Sequence, residues 1–321
     1  MKILVTGGAG FIGSNFIRYS LEKYPDYEII NLDKLTYAGN LENLRDIEND
    51  PRYSFVKGDI CDAALIDKLA PQVDAIINFA AESHVDRSID DPRSFVVTDI
   101  LGAQTILEAV KKHKVERFLH ISTDEVYGSI EKGSFKETAP LSPNSPYAAS
   151  KAGADLICRS YFKTYGTPVL ITRSSNNFGP YQYPEKLVSF FTTNAIDGRS
   201  LLLYGDGLNI RDWIYVLDNC EGIDVVFHTG DIGEIYNIGG GNEVTNIDIA
   251  RQIIARTGML EDSITFVDDR PGHDRRYSLD SSKTMALGWQ PRHDFKNALA
   301  ETIDWYKENE SWWRPLKSNI S

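Results

Sequence analysis

The chain has 321 residues and a formal net charge of −12, with 42% hydrophobic and 25% charged residues. This composition is typical of a folded globular protein and excludes a disordered or fibrous chain, while the length predicts two domains or one large α/β domain with additions. Surfaces that bind nucleic acid are normally basic, because their cations neutralise phosphates, so the acidic charge argues against DNA or RNA as a partner.

Short apolar segments alternate with longer segments of helical length through the first half of the chain. This alternation predicts βαβ units and a parallel, doubly wound sheet of the Rossmann type, an α/β fold. The last of the helices has a clear start, because Ser145 is a good N-cap residue and Pro146 suits the first turn. The predicted strands are 2–6, 28–33, 53–57, 74–80, 117–122 and 168–172, and the predicted helices are 11–24, 94–113 and 146–165.

The pattern changes after Arg173, where segments rich in turn residues replace the regular alternation. We expect residues 1–175 to form the sheet domain and residues 176–321 to form mainly a smaller, loop-rich C-terminal domain that holds the substrate. The apolar segment 235–238 is predicted to return to the sheet, so that about 212–238 completes the first domain.

The three cysteines, Cys61, Cys158 and Cys220, are widely spaced and include no Cys-x-x-Cys pair. This spacing predicts free thiols in a reducing compartment rather than disulfides or a zinc site.

The apolar run after Lys2 is too short for a signal peptide, and no stretch approaches membrane-spanning length. We therefore expect a cytoplasmic protein with no membrane partner.

A glycine-rich turn follows the first predicted strand. Gly8, Gly10 and Gly13 have the Gly-x-Gly-x-x-Gly spacing at the start of a helix, where free N–H groups favour a pyrophosphate. Asp33 lies 20 residues beyond Gly13, and its carboxylate would accept ribose hydroxyls and repel a 2′-phosphate, which favours NAD over NADP. The adjacent Lys34 argues in the opposite direction, and a purely structural glycine turn beside a solvated Asp33 is the alternative interpretation.

A second group of residues suggests hydride-transfer chemistry. Tyr147 and Lys151 are four residues apart in a predicted helix and share a face. An ammonium lowers the pKa of a neighbouring phenol, as does an oxidised nicotinamide ring, so Tyr147 would take a hydroxyl proton. Thr123, at the end of a strand 24 residues before Tyr147, offers a hydroxyl to a substrate oxygen. Together these features resemble the extended short-chain dehydrogenase/reductase superfamily, although a surface Tyr and a solvated Lys would look similar in isolation.

Two carboxyl groups, those of Asp124 and Glu125, directly follow Thr123. A nearby like charge raises one of two carboxyl pKa values, which gives one acid and one base. Dehydration of a sugar needs such a pair. Adjacent residues of a strand point to opposite faces, so both groups can act together only if the chain leaves strand geometry at Asp124. An exposed acidic turn is the alternative.

With these residues the chain resembles one family, the dTDP-glucose 4,6-dehydratases, over nearly its whole length. The matching segments are 6–13, 33–40, 80–88, 123–128, 145–151, 176–182, 210–213 and 270–277. The resemblance implies an NAD-dependent lyase of deoxysugar nucleotide synthesis that converts dTDP-glucose to dTDP-4-keto-6-deoxyglucose and water. Its steps would be oxidation at C4, elimination across C5 and C6, and return of the hydride to C6. The 128–145 connection is shorter than in typical bacterial members.

The resemblance also assigns roles to individual residues. Asp124 would be the acid, Glu125 the base and Tyr147 the oxidation base, with Lys151 beside it and Thr123 holding the sugar. The implied NAD-binding residues are Gly7, Gly10, Phe11, Ile12, Gly13, Asp33, Lys34, Leu35, Thr36, Asp59, Ile60, Ala80, Ala81, Ser83, Thr98, Tyr147, Lys151 and Asn177. The implied substrate-binding residues are Ser83, His84, Thr123, Asn176, Lys186, Leu187, Tyr204, Arg211, Asn246, Arg270, His273, Arg276 and Tyr277.

The basic residues around 270–276, with Arg211 and Lys186, would pair with a diphosphate. Internal ion pairing is the alternative, since aspartates are interleaved with them, and we expect at least one arginine to be paired in this way. No cluster has metal-ligand spacing, so no metal is predicted. The resemblance further implies a homodimer that pairs through helices 94–113 and 146–165.

Two rival functions remain open at this point. A nucleotide-sugar 4-epimerase or decarboxylase would use the same scaffold, but epimerisation needs no second acid/base pair beside Tyr147. A cofactor-binding regulatory protein without catalysis would not need Thr123, Tyr147 and Lys151. The sequence leaves thymidine and uridine nucleotides unresolved.

Overall fold

A parallel seven-stranded sheet lies at the centre of the structure, a computed structural model that describes residues 1–269 and 271–317. The strands are β1 (Lys2–Thr6), β2 (Glu28–Asp33), β3 (Tyr53–Lys57), β4 (Ala75–Asn78), β5 (Arg117–Thr123), β6 (Val169–Ser174) and β10 (Ile235–Ile238). They are arranged in the order β10-β6-β5-β4-β1-β2-β3, which is a doubly wound sheet of the type predicted from the sequence.

Helices cover both faces of this sheet, so each strand alternates between two hydrophobic cores. The helices of this part are α1 (Phe11–Lys23), α2 (Ala63–Leu69), α3 (Val85–Asp90), α4 (Pro92–Phe95), α5 (Gly102–His113), α6 (Pro146–Tyr165) and α8 (Val216–Thr229). In β1, Ile3 and Val5 pack with residues of α1 and α8, whereas Leu4 packs with residues of α5.

The second half of the chain builds a separate hydrophobic core from small sheets and helices. Phe178, Trp213 and Phe295 contribute rings to this core. Its strands are β7 (Asn176–Phe178), β8 (Leu201–Tyr204), β9 (Ile210–Tyr215), β11 (Glu243–Thr245) and β12 (Ile264–Val267), and the remaining helices are α7 (Leu187–Ile196), α9 (Asn246–Thr257), α10 (Ser282–Met285), α11 (Phe295–Glu308) and α12 (Glu310–Lys317). The division into domains at residue 175 stays a prediction.

Most predicted elements lie where the sequence placed them, including α6 and the return of 235–238 to the sheet beside β6. The predicted 94–113 helix differs, because a π-helical segment, Val96–Leu101, separates α4 from α5. A π-helical turn contains more residues than an α-helical turn, and hydrophobic periodicity does not reveal it. The predicted strand 74–80 is shorter, since β4 ends at Asn78.

Within residues 1–269 and 271–317, we find no helix with the length and apolar character needed to cross a bilayer. All three cysteines are free thiols, as predicted.

One buried carboxylate joins the C-terminal ends of α1 and α8. Asp224 accepts hydrogen bonds from Lys23 Nζ (2.7 Å) and Tyr24 OH (2.9 Å), and its Oδ1 lies 3.2 Å from His228 Nδ1. Burial lowers the pKa of His228, but the interactions with Asp224 outweigh it and leave this pKa above its usual value. Protonated His228 therefore stabilises the folded state, also because it lies in the last turn of α8.

Replacing His228 by Gln should reduce stability more at pH 6 than at pH 9. The raised pKa of His228 means that its contribution is complete below its ordinary pKa and is lost as the pH rises through the folded-state value. The pH-dependent part of the difference should be about 1 kcal/mol or less. Urea unfolding of both proteins at the two pH values measures it, and an equal difference at both values would contradict the prediction.

Candidate active site

The β1–α1 turn has a backbone shape that only glycine allows at key positions. Gly7 has a φ of 70°, in the left-handed region. A Cβ on Gly13 would lie 2.4 Å from the carbonyl oxygen of Gly7, which no real side chain tolerates. No side chain caps the start of α1 at Gly10. The turn therefore presents unshielded backbone N–H groups, which suit an anionic ligand such as a pyrophosphate.

Asp33 lies at the end of β2 and organises this turn. Its Oδ2 accepts the amide of Ala9 (2.9 Å) and its Oδ1 accepts the amide of Leu35 (2.8 Å). Burial raises the pKa of Asp33, and these two backbone hydrogen bonds partly counteract it. The ammonium of Lys34 lies 2.7 Å from a carboxylate oxygen of Asp59. Lys34 is therefore engaged by Asp59, which weakens the argument that it would attract a 2′-phosphate.

The catalytic end of the site depends on how β5 ends. The strand stops at Thr123, and a 3₁₀ turn, Asp124–Tyr127, follows at once. Thr123 Oγ1 accepts the amide of Glu125 (3.2 Å) and donates to Oδ1 of Asp124 (3.2 Å). The chain thus leaves strand geometry at Asp124, as the sequence analysis required, and both carboxyl residues line one cavity.

Helix α6 brings Tyr147 and Lys151 to the same cavity. The ammonium of Lys151 donates to the carbonyl oxygen of Ile121 (2.7 Å). Burial raises the pKa of Tyr147 well above its usual value; Glu125 and Asp99 raise it further, and a hydrogen bond with Thr123 opposes them. The net shift is opposite to the lowering expected from the sequence, because the low-polarity surroundings and two carboxylates disfavour the phenolate.

Asp124 is only 2% exposed. Burial is the main reason why its pKa lies well above its usual value, and the like charges of Glu125 and Asp212 add to the effect. A neutral carboxylic acid is therefore favoured at this position far more than for an ordinary aspartate. The expected division into one acid and one base has a physical basis in this burial.

The cavity has a volume of about 340 Å³ and extends from the glycine-rich turn to Tyr147. Every residue predicted to bind the cofactor lines this cavity except Leu35. The amide of Leu35 nevertheless donates a hydrogen bond to the Asp33 carboxylate. Among the predicted substrate-binding residues, those lining it are Ser83, Thr123, Asn176, Lys186 and Leu187. The Lys186 ammonium donates to the carbonyl oxygen of Ser83 and lies 6.0 Å from the ring centroid of Tyr147.

The other predicted substrate-binding residues do not line this cavity. They are His84, Tyr204, Arg211, Asn246, His273, Arg276 and Tyr277, while Arg270 lies outside the described residues. His84 is the N-cap of α3. Arg211 lies 4.3 Å from the ring centroid of Tyr277 and donates to the carbonyl oxygen of Asp274 (2.9 Å), and Tyr277 OH donates to the Asp274 carboxylate (2.7 Å).

Several members of the predicted basic patch form ion pairs within the protein. Arg276 lies 2.7 Å from Glu243, and Arg275 lies 2.7 Å from Asp206. His273 Nδ1 lies 2.6 Å from Asp269. The expectation that at least one arginine is paired internally is therefore confirmed.

The cavity wall also contains residues that the sequence analysis did not select. They are Leu32, Ala38, Gly39, Gly58, Phe79, Glu82, Ile121, Ser122, Ser174, Ser175, Gln182, Tyr183, Glu185 and Trp213. Ala38, Gly39, Glu82, Gln182 and Trp213 belong to the matching segments, so the segments contained a signal for them. No sequence pattern indicated Tyr183 and Glu185, because tertiary packing brings these two residues to the cavity wall.

Several residues that line this cavity carry a buried polar atom without a hydrogen-bond partner among the described residues. These atoms are Ser122 Oγ, Asp124 Oδ2, Ser175 Oγ, Asn176 Oδ1, Asn177 Oδ1, Gln182 Oε1 and Trp213 Nε1. Burying such groups unpaired is costly, and they match a ligand rich in hydroxyl groups. Together with the glycine turn and Asp33, this donor set fits a dinucleotide and a sugar. Over the part of the chain that the structure describes, no group of three His, Cys, Asp or Glu residues could hold a metal ion.

Comparison with known proteins agrees with this geometry. The family described as GDP-mannose 4,6 dehydratase matches residues 4–302. A dTDP-glucose 4,6-dehydratase of Streptomyces niveus is 51% identical over 99% of this chain and 96% of its own length. The chain belongs to the dTDP-glucose 4,6-dehydratases of the extended short-chain dehydrogenase/reductase family. The resemblance and the α/β Rossmann fold predicted from the sequence are thus confirmed.

Solved structures place the chain in the same family. DesIV, a dTDP-glucose 4,6-dehydratase of Streptomyces venezuelae solved with NAD bound, is 53% identical with a TM-score of 0.97 over 98% of this chain and 100% of its own. A UDP-glucuronic acid 4-epimerase of Bacillus cereus is 30% identical with a TM-score of 0.91 over 96% of this chain and 99% of its own. The epimerase thus shares the scaffold, as the rival function supposed, but far less of the sequence.

Proposed function

We propose that this protein is an NAD-dependent hydro-lyase that converts dTDP-glucose to dTDP-4-keto-6-deoxyglucose and water. The observation that carries the proposal is the pair Asp124 and Glu125 on one turn, in the same cavity as Tyr147 and the glycine-rich turn. The family relationship supports the same activity. An epimerase would need only the Tyr147 end of this arrangement, and a non-catalytic binding protein would need neither carboxyl group.

The residues around the turn fit the cofactor that this reaction requires. The pyrophosphate would lie against the N-terminus of α1 beside Gly10 and Gly13, and Asp33 would hold the adenosine ribose. Thr98, Asn177 and Lys151 would contact the remainder, with the other predicted NAD-binding residues of the cavity wall. Bound by these residues, oxidised NAD would supply a hydride acceptor for C4 of the sugar, its reduced form would supply the hydride for C6, and the oxidised form would bring a positive charge to the site.

Oxidation comes first because a ketone at C4 makes the C5 proton acidic enough for a carboxylate base. Tyr147 would take the proton of the C4 hydroxyl while Thr123 holds that oxygen. The raised pKa of Tyr147 makes its phenolate a strong base once formed, and a positive charge nearby offsets part of the cost of forming it. Lys151, held by the Ile121 carbonyl, supplies a fixed cation on the same helix.

Elimination then uses the two carboxyl groups in different protonation states. Glu125 would remove the C5 proton, and Asp124 would protonate the hydroxide that leaves C6. Burial and two neighbouring carboxyl groups raise the pKa of Asp124, so it still carries a proton at a pH where an ordinary aspartate does not. Water leaves, and the C5–C6 double bond accepts the hydride at C6 and a proton at C5.

The sugar nucleotide would extend from this centre toward the second half of the chain. Asn176, Lys186 and Leu187 line the cavity next to the catalytic residues and would hold the sugar and diphosphate. Arg211, Tyr277 and Asn246 are buried and would hold the nucleoside end. Ser83, His84, Tyr204, Arg270, His273 and Arg276 complete the proposed set.

We further propose that the protein is cytoplasmic, supported by its three unpaired thiols.

We also propose that it is a homodimer. Apolar side chains on and beside the two helices named from the sequence are well exposed, among them Val96 (51%), Leu101 (49%) and Leu156 (56%). Exposed apolar side chains of this size are costly in water when they lie together, and burying them against a second copy would remove that cost.

The protein should prefer NAD over NADP by at least about tenfold, because the Asp33 carboxylate would repel a 2′-phosphate. Replacing Asp33 by Asn should reduce that preference. Titration of the cofactor-depleted protein with each dinucleotide, followed by fluorescence quenching, measures both affinities. If the parent protein bound NAD and NADP with equal affinity, Asp33 would not be the residue that selects between them.

Replacing Asp124 by Asn should slow water loss by about a hundredfold to ten-thousandfold, because the proton for the leaving hydroxide is lost while C4 oxidation continues. Solvent deuterium should still enter C5 in this variant. Replacing Glu125 by Gln should stop that exchange. Mass spectrometry of the sugar nucleotide in D₂O separates these cases, with exposed Glu131→Gln as the matched control.

The same assay tests the whole cycle in the parent protein. Deuterium supplied at C4 of dTDP-glucose should reappear at C6 of the same molecule. Accumulation of the label in free NADH would contradict the return of the hydride to the same sugar, and full dehydration by both variants would exclude Asp124 and Glu125 as the acid and the base. A parallel assay with UDP-glucose measures the nucleotide preference.

Replacing Leu156 by Glu should weaken the dimer by about a hundredfold or more, because a charge would be buried in the proposed interface. Leu260, which is 71% exposed and lies on neither of these helices, gives the matched control Leu260→Glu. Light scattering at micromolar concentration should show a dimer for the parent and the control and a monomer for Leu156→Glu. A monomeric parent protein would exclude the homodimer.

A further inference from the structure

The C-terminal helix α12 reaches the glycine-rich turn through a single asparagine. Asn43 is 1% exposed and lies in the 3₁₀ helix Leu41–Leu44. Its Nδ2 donates to the carbonyl oxygen of Ala9 (2.9 Å), and its Oδ1 accepts the indole N–H of Trp312 (2.9 Å). Hydrogen bonds therefore connect the end of the described chain to the turn between β1 and α1.

Ala9 lies between Gly8 and Gly10, and hydrogen bonds fix both of its backbone polar groups. Its amide donates to Asp33 (2.9 Å), and its carbonyl oxygen accepts Asn43 Nδ2 and the amide of Asn40 (3.0 Å). Glycines on either side leave this segment with few steric limits on its backbone. The orientation of the turn is consequently set by these hydrogen bonds rather than by side-chain bulk.

Aromatic packing holds Trp312 in the position that this bond needs. Its ring centroid lies 5.1 Å from that of Trp305 and 5.7 Å from that of Tyr181. The guanidinium of Arg18 lies 4.6 Å from the Tyr181 ring centroid and also donates to the carbonyl oxygen of Asn43. Helix α12 thus packs directly on α11 through Trp305, and it is connected to Arg18 of α1 through Tyr181 and Asn43.

The proposed reaction makes cofactor retention a chemical necessity. The hydride removed from C4 must return to C6 of the same sugar, so a reduced cofactor that leaves before this return ends the cycle. A turn that is free to change its backbone orientation would lose N–H contacts to the pyrophosphate and release the dinucleotide faster.

We propose that Trp312 and Asn43 are positioning residues that retain the dinucleotide, with α12 acting through Asn43 to hold the Ala9 peptide of the glycine-rich turn. This role rests on the proposed function for its purpose, but it concerns cofactor release, which is measured without any sugar. It assigns the C-terminal helix to the cofactor site, although α12 lies in the half of the chain predicted to bind the substrate.

The test replaces Trp312 by Phe, which keeps an aromatic ring in the cluster but removes the indole N–H together with part of the ring volume. The holoenzyme should release NAD about tenfold faster after rapid dilution, as expected for one lost hydrogen bond in a buried path. Trp305→Phe is the matched control, because it alters the same ring cluster and leaves the Trp312–Asn43 bond in place. Its release rate should stay within about twofold of the parent rate.

A turnover assay separates loss of the cofactor from general damage to the fold, because only loss of the cofactor is reversed by adding NAD. Trp312→Phe should lose activity progressively, with NADH appearing free in solution, and added NAD should restore the parental kcat. Asn43→Asp, which places a carboxylate oxygen against the Ala9 carbonyl, should release NAD faster still. An unchanged release rate in Trp312→Phe, or lost activity that added NAD does not restore, would overturn the proposal.

Thermal unfolding of the cofactor-depleted variants should match the parent, and a lowered melting temperature with parental NAD release would equally overturn it.

If the parent protein binds NAD but does not dehydrate dTDP-glucose, the proposed function fails while the release experiment still decides the role of Trp312. If the parent dehydrates the sugar and Trp312→Phe retains NAD normally, only the role of Trp312 fails.

Discussion

The capped end of β5 is the local constraint on which the catalytic centre depends. The Thr123 hydroxyl accepts the amide of Glu125 at the residue where the pairing of β5 with β6 ends, and a 3₁₀ turn follows. In a continued strand, Asp124 and Glu125 would point to opposite faces of the sheet, which the turn prevents. Because of it, both carboxyl groups line the cavity that Tyr147 and Lys151 reach from α6.

Burial then gives chemically similar groups different roles. Asp124 is almost completely enclosed and its pKa is raised, whereas Lys34 and Asp59 pair with each other at the opposite end of the cavity. The same enclosure, together with the nearby carboxyl groups, raises the pKa of Tyr147. A site rich in carboxyl groups raises the pKa of each acid it encloses, and it gains from the positive charge of an oxidised cofactor.

The parallel sheet explains why these groups meet. Carboxyl ends of adjacent parallel strands lie along one edge, so Thr6 of β1, Asp33 of β2 and Thr123 of β5 end at the same side of the molecule. The second half of the chain then closes this edge through Asn176, Lys186 and Trp213. Helix α12 does not line the cavity, but Trp312 donates a hydrogen bond to Asn43, which in turn contacts the glycine-rich turn.

The sequence by itself determined the order of strands and helices, the glycine-rich turn, Asp33 and the residues from Thr123 to Lys151. These features are local, since each depends on the periodicity, capping or steric demands of neighbouring residues. Only the tertiary structure decided which residues of the second half line the cavity, because Arg276 pairs with Glu243 and His273 is hydrogen-bonded to Asp269, while Trp213 and Glu185 reach the wall. The direction of the Tyr147 pKa shift and the contact between Trp312 and Asn43 were likewise settled by tertiary packing, since burial and distant charges have no signature in the local sequence.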